Sequence, residues 1–211
     1  MVFLTDKIEF PNPNRADSDG LLAIGGDLSV QRLLLAYKNG IFPWFNDDND
    51  LILWWSPNPR FVLFPQHLKV SKSMVQILRN KDFKVTINKN FEAVISECSI
   101  AKREGQAGTW ITNEMIKAYT NLYRLGYATS VEVWQKDILV GGLYGIDLGN
   151  GVFCGESMFT KVSNASKVAF ITFLQNTNYK LIDCQVYTKH LASLGAEEIE
   201  RSEFLAYLKE G

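Results

Sequence analysis

The chain has 211 residues, of which 46% are hydrophobic, and a formal net charge of −1 at pH 7. This length suffices for one large domain, or one domain with a small appendage, built around a full apolar core. The small net charge argues against a positively coated protein that binds nucleic acid indiscriminately, although it leaves room for a local basic patch.

Neither a metal nor a disulfide framework is expected. The three cysteines, Cys98, Cys154 and Cys184, lack the spacing of a zinc site and are odd in number. No apolar run is long enough to span a bilayer, and the first residues lack the basic and apolar segments of a signal peptide. These features together predict a cytoplasmic protein.

Residues 1–62 are predicted to form a small N-terminal domain of short elements. A helix is predicted over 30–39, and strands are predicted near both ends of 51–64. Between them lies the segment GIFPWF, in which Pro43 prevents a regular helix. Its aromatic residues, among them Trp44, either fill the core or wall a pocket, and the pattern alone favours neither.

Residues 63–211 are predicted to form a second, larger domain. Ser71, Asn90 and Thr112 are typical helix N-caps, and each precedes a segment that is predicted to be helical. The loop before Thr112 holds Trp110. After the third of these helices, the pattern changes to the alternating polar and apolar residues of strands.

The stretch LVGGLYGIDLGNGVFCGESMF, residues 139–159, predicts two strands joined by a glycine-rich turn. Its glycines leave little bulk on the first strand, so another group could approach that backbone closely. Glu156 lies on the second strand among apolar residues, where a carboxylate is costly unless it is paired or used. The pattern alone favours a tight hairpin whose glycines serve packing, with Glu156 exposed at its end.

A helix is predicted over 165–175 and a strand, KLIDCQV, over 180–186. On that strand Asp183 and Gln185 are two residues apart and share a face, with Cys184 on the other. Buried polar groups need partners. The pair therefore either satisfies its hydrogen bonds within the core or faces a cleft, and the pattern slightly favours the core.

A short helix, a strand and a final helix capped by Ser202 are predicted to complete the chain. The succession predicts an α+β fold, with a small N-terminal α/β subdomain before a mostly antiparallel sheet. The element order resembles the acyltransferase fold of the N-acetyltransferase (GNAT) superfamily. The segment SNASK lacks the glycine-rich pyrophosphate pattern of the CoA-dependent members, so we expect neither acetyl-CoA nor another cofactor.

Eight motifs follow one another along nearly the whole chain. They are GLLAIGGDLS, GIFPWF, WWSPNPR, GTWIT, LVGGLYG, FCGESMF, NASK, and LIDCQ followed by HLASLGA. In this order they resemble the bacterial leucyl/phenylalanyl-tRNA–protein transferase family. One such motif is weakly specific, whereas so many in order are highly specific, so the resemblance outweighs the packing interpretations given above.

The resemblance implies an activity. Members of the family move leucine or phenylalanine from Leu-tRNA or Phe-tRNA to the N-terminal Arg or Lys of a protein, which marks that protein for N-degron degradation. It also implies catalytic roles for Asp183, Gln185 and Glu156. We expect Gln185 to orient the attacking amine, Asp183 to fix Gln185 and receive the proton, and Glu156 to bind an ammonium group.

Binding residues follow from the same resemblance. The aminoacyl-adenosine region and the apolar side-chain pocket map to Trp44, Trp110, Leu143, Phe153, Phe173 and Ile182. Contacts with tRNA map to Lys72, Arg79, Lys81 and Lys84. This basic cluster is thinner than in well-known members of the family because Val75, Gln76 and Asn80 interrupt it, so weaker or relocated contact with tRNA is expected.

Two other functions fit parts of the pattern. One is a peptidoglycan-type aminoacyl-tRNA ligase of related fold, whose acceptor amine belongs to a cell-wall precursor. The other is a non-catalytic tRNA-binding module. Only the transferase is expected to move leucine onto a peptide that begins with arginine.

Overall fold

The computed structural model of the chain describes residues 2–80, 82–101 and 110–209. Within these ranges it contains seven α-helices and eleven β-strands, so the predicted α+β class is confirmed. The helices are α1 (Val30–Lys38), α2 (Lys72–Arg79), α3 (Phe91–Ile100), α4 (Asn113–Arg124), α5 (Ala165–Gln175), α6 (Lys189–Ala192) and α7 (Arg201–Lys209). The strands are β1 (Val2–Leu4), β2 (Leu21–Gly25), β3 (Phe42–Pro43), β4 (Leu53–Trp55), β5 (Arg60–Leu63), β6 (Lys84–Ile87), β7 (Ala128–Gln135), β8 (Ile138–Asp147), β9 (Val152–Thr160), β10 (Leu181–Gln185) and β11 (Glu197–Ile199).

Most helix starts are set by local capping. In the described residues, five side-chain oxygens at α-helix starts accept a hydrogen bond from the backbone N–H three residues on, which satisfies a donor that a helix start leaves unpaired. They belong to Ser29, Ser71, Asn90, Thr112 and Thr188. The predicted Ser202 cap is wrong, because α7 begins at Arg201 and the backbone N–H of Arg201 donates to Asn58 Oδ1 at 2.8 Å.

The strands form two sheets. The smaller has the order β1-β2-β4-β3, and the larger has the order β11-β5-β10-β9-β8-β7-β6. Strands β6 to β9 form an antiparallel meander, as the alternating pattern predicts. Strand β5 belongs to the larger sheet and spans the division between residues 1–62 and 63–211, and that division stays a prediction.

Both faces of the larger sheet are covered. On one face α5 packs over Leu143, Phe153 and Ile182. On the other face, α3, α4 and the N-terminal elements pack over Tyr144 and Cys154. Successive residues of a strand therefore point into different apolar clusters, as the two-residue period of a strand requires.

Glycines on β8 permit this close packing. A Cβ atom on Gly145 would lie 2.5 Å from Cζ of Phe153, and one on Gly141 would lie 2.6 Å from Cβ of Ala165 in α5. Real Cβ atoms do not approach neighbours so closely. The glycines thus serve packing, as the residue pattern favoured, and they fix where the Phe153 ring lies.

Strands β9 and β10 run parallel because α5 connects them, and their pairing is short. It covers three positions and ends with Asp183 opposite Cys154. Beyond this point β9 remains paired with β8 as far as Thr160, whereas β10 ends at Gln185, which has φ +65°. The two strands therefore separate, and the sheet opens beside Gly155.

Candidate active site

A cleft of about 1260 Å³ lies where β9 and β10 separate. Most residues predicted for catalysis and for substrate binding line it. They are Trp44, Trp110, Leu143, Phe153, Glu156, Ile182, Asp183 and Gln185. Phe173 is not among the lining residues, since it is buried behind the wall with its ring edge-on to Phe153 at 4.7 Å.

The cleft has an apolar part and a polar part because it crosses the sheet. Leu143, Phe153 and Ile182 line it on the face that α5 covers, together with Phe170, which the sequence did not single out. On the opposite face the lining combines the hydrogen-bonded pair Glu156 and Gln185 with aromatic side chains of the other apolar cluster. An apolar slot and a group of hydrogen-bonding side chains are thus joined at one opening.

Asp183 is engaged by the protein on both carboxylate oxygens. Oδ1 accepts a hydrogen bond from Arg60 Nε at 2.7 Å, and Oδ2 accepts one from Arg60 Nη2 at 2.6 Å. The two side chains are each 1% exposed. Oδ1 also accepts the backbone N–H of Gln185 at 3.0 Å. A bidentate pair of this kind fixes both partners in one geometry, so Asp183 holds the end of β10.

The sequence pattern does not identify Arg60 as a site residue, although Arg60 ends the motif WWSPNPR. Its guanidinium lies over the rings of Phe42 and Phe204, at 4.9 Å and 4.6 Å from their centroids, and Nη1 donates to the Gly40 carbonyl at 3.2 Å. The signal that points to it is an arginine directly before the buried strand FVLF, because a charge in such a strand is buried only when paired.

Glu156 is buried, being 7% exposed, so the expectation that it lies exposed at the end of the hairpin is wrong. Oε1 accepts a hydrogen bond from Gln185 Nε2 at 2.9 Å, and Oε2 accepts one from the Tyr119 hydroxyl at 3.0 Å. Tyr119 is hydrogen-bonded in turn to the Tyr37 hydroxyl. Both tyrosines were missed, because their spacing on α1 and α4 is that of ordinary core residues.

The environment of Glu156 places its titration near neutral pH. Burial raises its pKa from 4.5 to about 7, hydrogen bonds from Tyr37 and Tyr119 lower it, and the neighbouring charge of Asp183 raises it. Burial also raises the pKa of both tyrosines well above the usual range, which keeps them protonated as donors. Glu156 can therefore take up and release a proton near pH 7.

The two tryptophans stand half-buried at the rim of the cleft. Trp44 is fixed by its backbone, whose N–H donates to the Leu53 carbonyl and whose carbonyl accepts from Trp55 Nε1, both at 2.9 Å. Both interpretations of the segment GIFPWF therefore hold for different residues. Phe45 is buried in the core, whereas Trp44 lines the cleft.

The basic residues predicted to contact tRNA lie outside the cleft lining. Lys72 and Arg79 are seven residues apart on α2, so they share one face, and both are exposed. Lys84 is exposed at the start of β6. Lys81 lies outside the described residues.

Two features are absent from the part of the chain that the structure describes. There, no group of three or more His, Cys, Asp or Glu side chains is placed to hold a metal ion. Nor does any helix in those ranges have the length and apolar character needed to cross a membrane. The three cysteines are buried, and none of them forms a disulfide.

Comparison with known proteins decides the family. A family model described as leucyl/phenylalanyl-tRNA protein transferase matches residues 62–209, and a model of its N-terminal domain matches residues 26–58. The chain belongs to this family. It is therefore an aminoacyltransferase, an enzyme that uses aminoacyl-tRNA and a protein acceptor.

Relatives of this transferase match over its whole length. The leucyl/phenylalanyl-tRNA–protein transferase of Flavobacterium johnsoniae is 62% identical over 212 residues, which cover 99% of each chain. That of Flavobacterium psychrophilum is 60% identical and covers 99% of this chain and 100% of its own. Among solved structures, a GCN5-related N-acetyltransferase from Kribbella flavida is 13% identical, covers 77% of this chain and 58% of its own, and has a TM-score of 0.39.

The raised pKa of Glu156 makes a prediction about stability. The folded pKa of about 7 exceeds the ordinary value of 4.5, so this carboxyl destabilises the fold progressively as pH rises through that window. We expect Glu156→Gln to raise the free energy of unfolding at pH 8 by about 1–3 kcal/mol, with little change near pH 4. Urea unfolding at the two pH values measures this.

Glu132 provides the control for that measurement. It is fully buried too, but it accepts backbone N–H groups from Lys89 and Asn90 and hydroxyl groups from Thr86 and Ser130. Glu132→Gln replaces an acceptor with a donor at these N–H groups, so it should lower stability. Equal stability of wild type and Glu156→Gln at pH 8 would contradict the assigned environment of Glu156.

Proposed function

We propose that this transferase moves leucine or phenylalanine from Leu-tRNA or Phe-tRNA to the α-amino group of proteins that begin with Arg or Lys. The product would be marked for N-degron degradation, in the cytoplasm where aminoacyl-tRNA is made. One observation carries the proposal. The cleft between β9 and β10 joins an apolar slot on one face of the sheet to Glu156 and Gln185 on the other.

The proposed reaction needs positioning and one proton acceptor. The aminoacyl ester is already activated, so the enzyme has to align the two ends and stabilise the oxyanion. The attacking α-amine has a pKa of roughly 7.7–8.0, so part of it is neutral near pH 7. A C–N bond forms, the ester C–O bond to the ribose breaks, and the proton lost by the amine returns to the ribose oxygen as it leaves.

Gln185 and Glu156 suit these tasks by their hydrogen bonds. Gln185 Nε2 donates to Glu156, which leaves the amide oxygen of Gln185 to accept a hydrogen bond from the incoming amine. Glu156, with a pKa of about 7, takes the proton or binds the ammonium form. Asp183 instead holds the Gln185 backbone, because Arg60 engages both of its oxygens.

The apolar slot suits leucine and phenylalanine together. Leu143, Phe153 and Ile182 present no polar partner, and an apolar pocket separates side chains by about 1–3 kcal/mol per methylene. Side chains branched at Cβ would be rejected by shape. Trp44 and Trp110 at the rim offer aromatic faces on which the terminal adenosine can stack.

We assign the tRNA backbone to the exposed cations of α2 and β6. Lys72 and Arg79 share a face of the helix, and Lys84 begins the strand that follows. Cations attract phosphates regardless of base sequence and release counterions on binding. Lys81, predicted for the same role, lies outside the described residues.

A transfer assay tests the proposed function. Labelled Leu-tRNA is incubated with the protein and a peptide that begins with arginine, and label is expected in the peptide. The same peptide with an acetylated N-terminus should remain unlabelled, because it lacks the attacking amine. Label on a cell-wall precursor peptide alone would favour the peptidoglycan-type ligase, and tRNA binding without any transfer would favour the non-catalytic module.

The role of Gln185 is tested in the same assay. We expect Gln185→Asn to lower kcat by about 100-fold or more with little change in the KM for Leu-tRNA. The shorter amide does not span the distance between Glu156 and an amine, while asparagine tolerates the positive φ at this position. Gln175→Asn, at the exposed end of α5, is the control. A normal kcat for Gln185→Asn excludes the assigned role.

Selectivity for the amino acid tests the slot. We expect Phe153→Leu to raise kcat/KM for Ile-tRNA relative to Leu-tRNA by about 10-fold, because a smaller wall admits a branch at Cβ. Phe91→Leu controls for the loss of stability, since Phe91 is 1% exposed and packs in the cluster on the other face of the sheet. If both variants keep the wild-type selectivity, Phe153 is not the wall.

A further inference from the structure

Arg60 lies beneath the cleft and does not line it. Nε and Nη2 form the bidentate pair with Asp183, and Nη1 donates to the Gly40 carbonyl. All three guanidinium nitrogens are thus engaged, and the rings of Phe42 and Phe204 lie against the same group. Its orientation is set by a planar fork of donors, which a lysine in its place would not reproduce.

We infer that Arg60 is a positioning residue for aminoacyl transfer. It acts through Asp183 to hold Gln185 where the amine arrives, and it neutralises Asp183 so that Glu156 is the carboxylate that exchanges the proton. This inference rests on the proposed function, because it names the residue on which the proposed roles of Gln185 and Glu156 depend.

The mechanical part of the inference follows a chain of contacts. Asp183 Oδ1 accepts from Arg60 Nε and from the backbone N–H of Gln185. Gln185 has φ +65°, a conformation that non-glycine residues adopt only when their surroundings hold them there. In this conformation its Nε2 reaches Glu156. If Asp183 rotates, the backbone contact is lost and the amide moves away from Glu156.

The electrostatic part concerns Asp183 and Glu156. The charge of Asp183 raises the pKa of Glu156, and the guanidinium of Arg60 lies between β5 and β10 as its counter-ion. Other titratable groups also surround this carboxyl and its partners. They are Tyr37 on α1, Tyr119 on α4, Tyr144 on β8, Cys154 on β9, Cys184 on β10 and Arg201 on α7.

Removing the charge of Arg60 should therefore shift the pH dependence of the rate in one direction. The positive charge that opposes the effect of Asp183 on Glu156 is then missing, so the pKa of Glu156 rises further. The acidic limb of the rate profile therefore moves to higher pH. A loss of folded protein alone would lower the rate by the same factor at every pH.

Two variants test the inference in the transfer assay, over a pH range that spans the Glu156 pKa of about 7. We expect Arg60→Met to lower kcat by about 100-fold at nearly unchanged KM for Leu-tRNA. Its acidic limb should move up by about one pH unit. Arg60→Lys keeps the positive charge but loses the paired donors of the guanidinium. Its acidic limb should therefore lie at the same pH as that of the wild type, while kcat falls about 10-fold.

Arg32→Met is the matched control. Arg32 is also fully buried, but it pairs with Asp27 and donates to the Thr5 carbonyl, away from the cleft. We expect this variant to lower the melting temperature, as Arg60→Met does, because both leave a partner unsatisfied. Its kcat and its pH profile should match those of the wild type once corrected for the folded fraction.

The outcomes separate the two proposals. If the wild type transfers no leucine, the proposed function fails. If the wild type transfers leucine but Arg60→Met retains a normal kcat, or loses activity equally at every pH, the inference about Arg60 is overturned. Where Arg60→Met does not fold, Arg60→Lys decides: a tenfold loss of kcat at unchanged KM supports the inference, and a normal kcat overturns it.

Discussion

The pairing of two buried charges, Arg60 and Asp183, constrains the rest of the molecule. Removing one member of such a pair costs about 3–5 kcal/mol, because the other is left buried and uncompensated. The pair therefore ties β5 to β10. The rings of Phe42 and Phe204 enclose the guanidinium, so the N-terminal segment and the last helix meet at the same point. Strand β5, the N-terminal segment and α7 therefore together hold the end of β10, where the polar groups of the cleft lie.

Two carboxylates near one cleft have different properties because their partners differ. Asp183 faces a guanidinium, so its charge is compensated. Glu156 is hydrogen-bonded by the neutral donors Gln185, Tyr119 and Tyr37, and burial raises its pKa to about 7. Environments that separate the behaviour of two like groups are a common way to obtain a proton acceptor at neutral pH. Here the difference between the two carboxylates depends on the position of Arg60, which pairs with Asp183.

The separation of β9 and β10 explains how one opening reaches both faces of the sheet. A continuous ladder would close the space between the strands, but the left-handed Gln185 ends β10 while β9 continues to Thr160. An apolar amino-acid side chain can then lie under α5 while its carbonyl is near Glu156. Gly145 contributes by admitting the Phe153 ring against β8, which sets that wall of the slot.

The sequence by itself determined the features that local chemistry encodes. Caps such as Thr112 and the alternation along β7 depend on neighbours within a few residues, and the ordered motifs gave the family. Only the tertiary structure decided that Glu156 is buried and that Arg60 pairs with Asp183, 123 residues away. Contacts between distant residues leave no periodic pattern in the chain. The place of Arg60 before the strand FVLF indicates that it needs a partner, but only the paired strands show that the partner is Asp183.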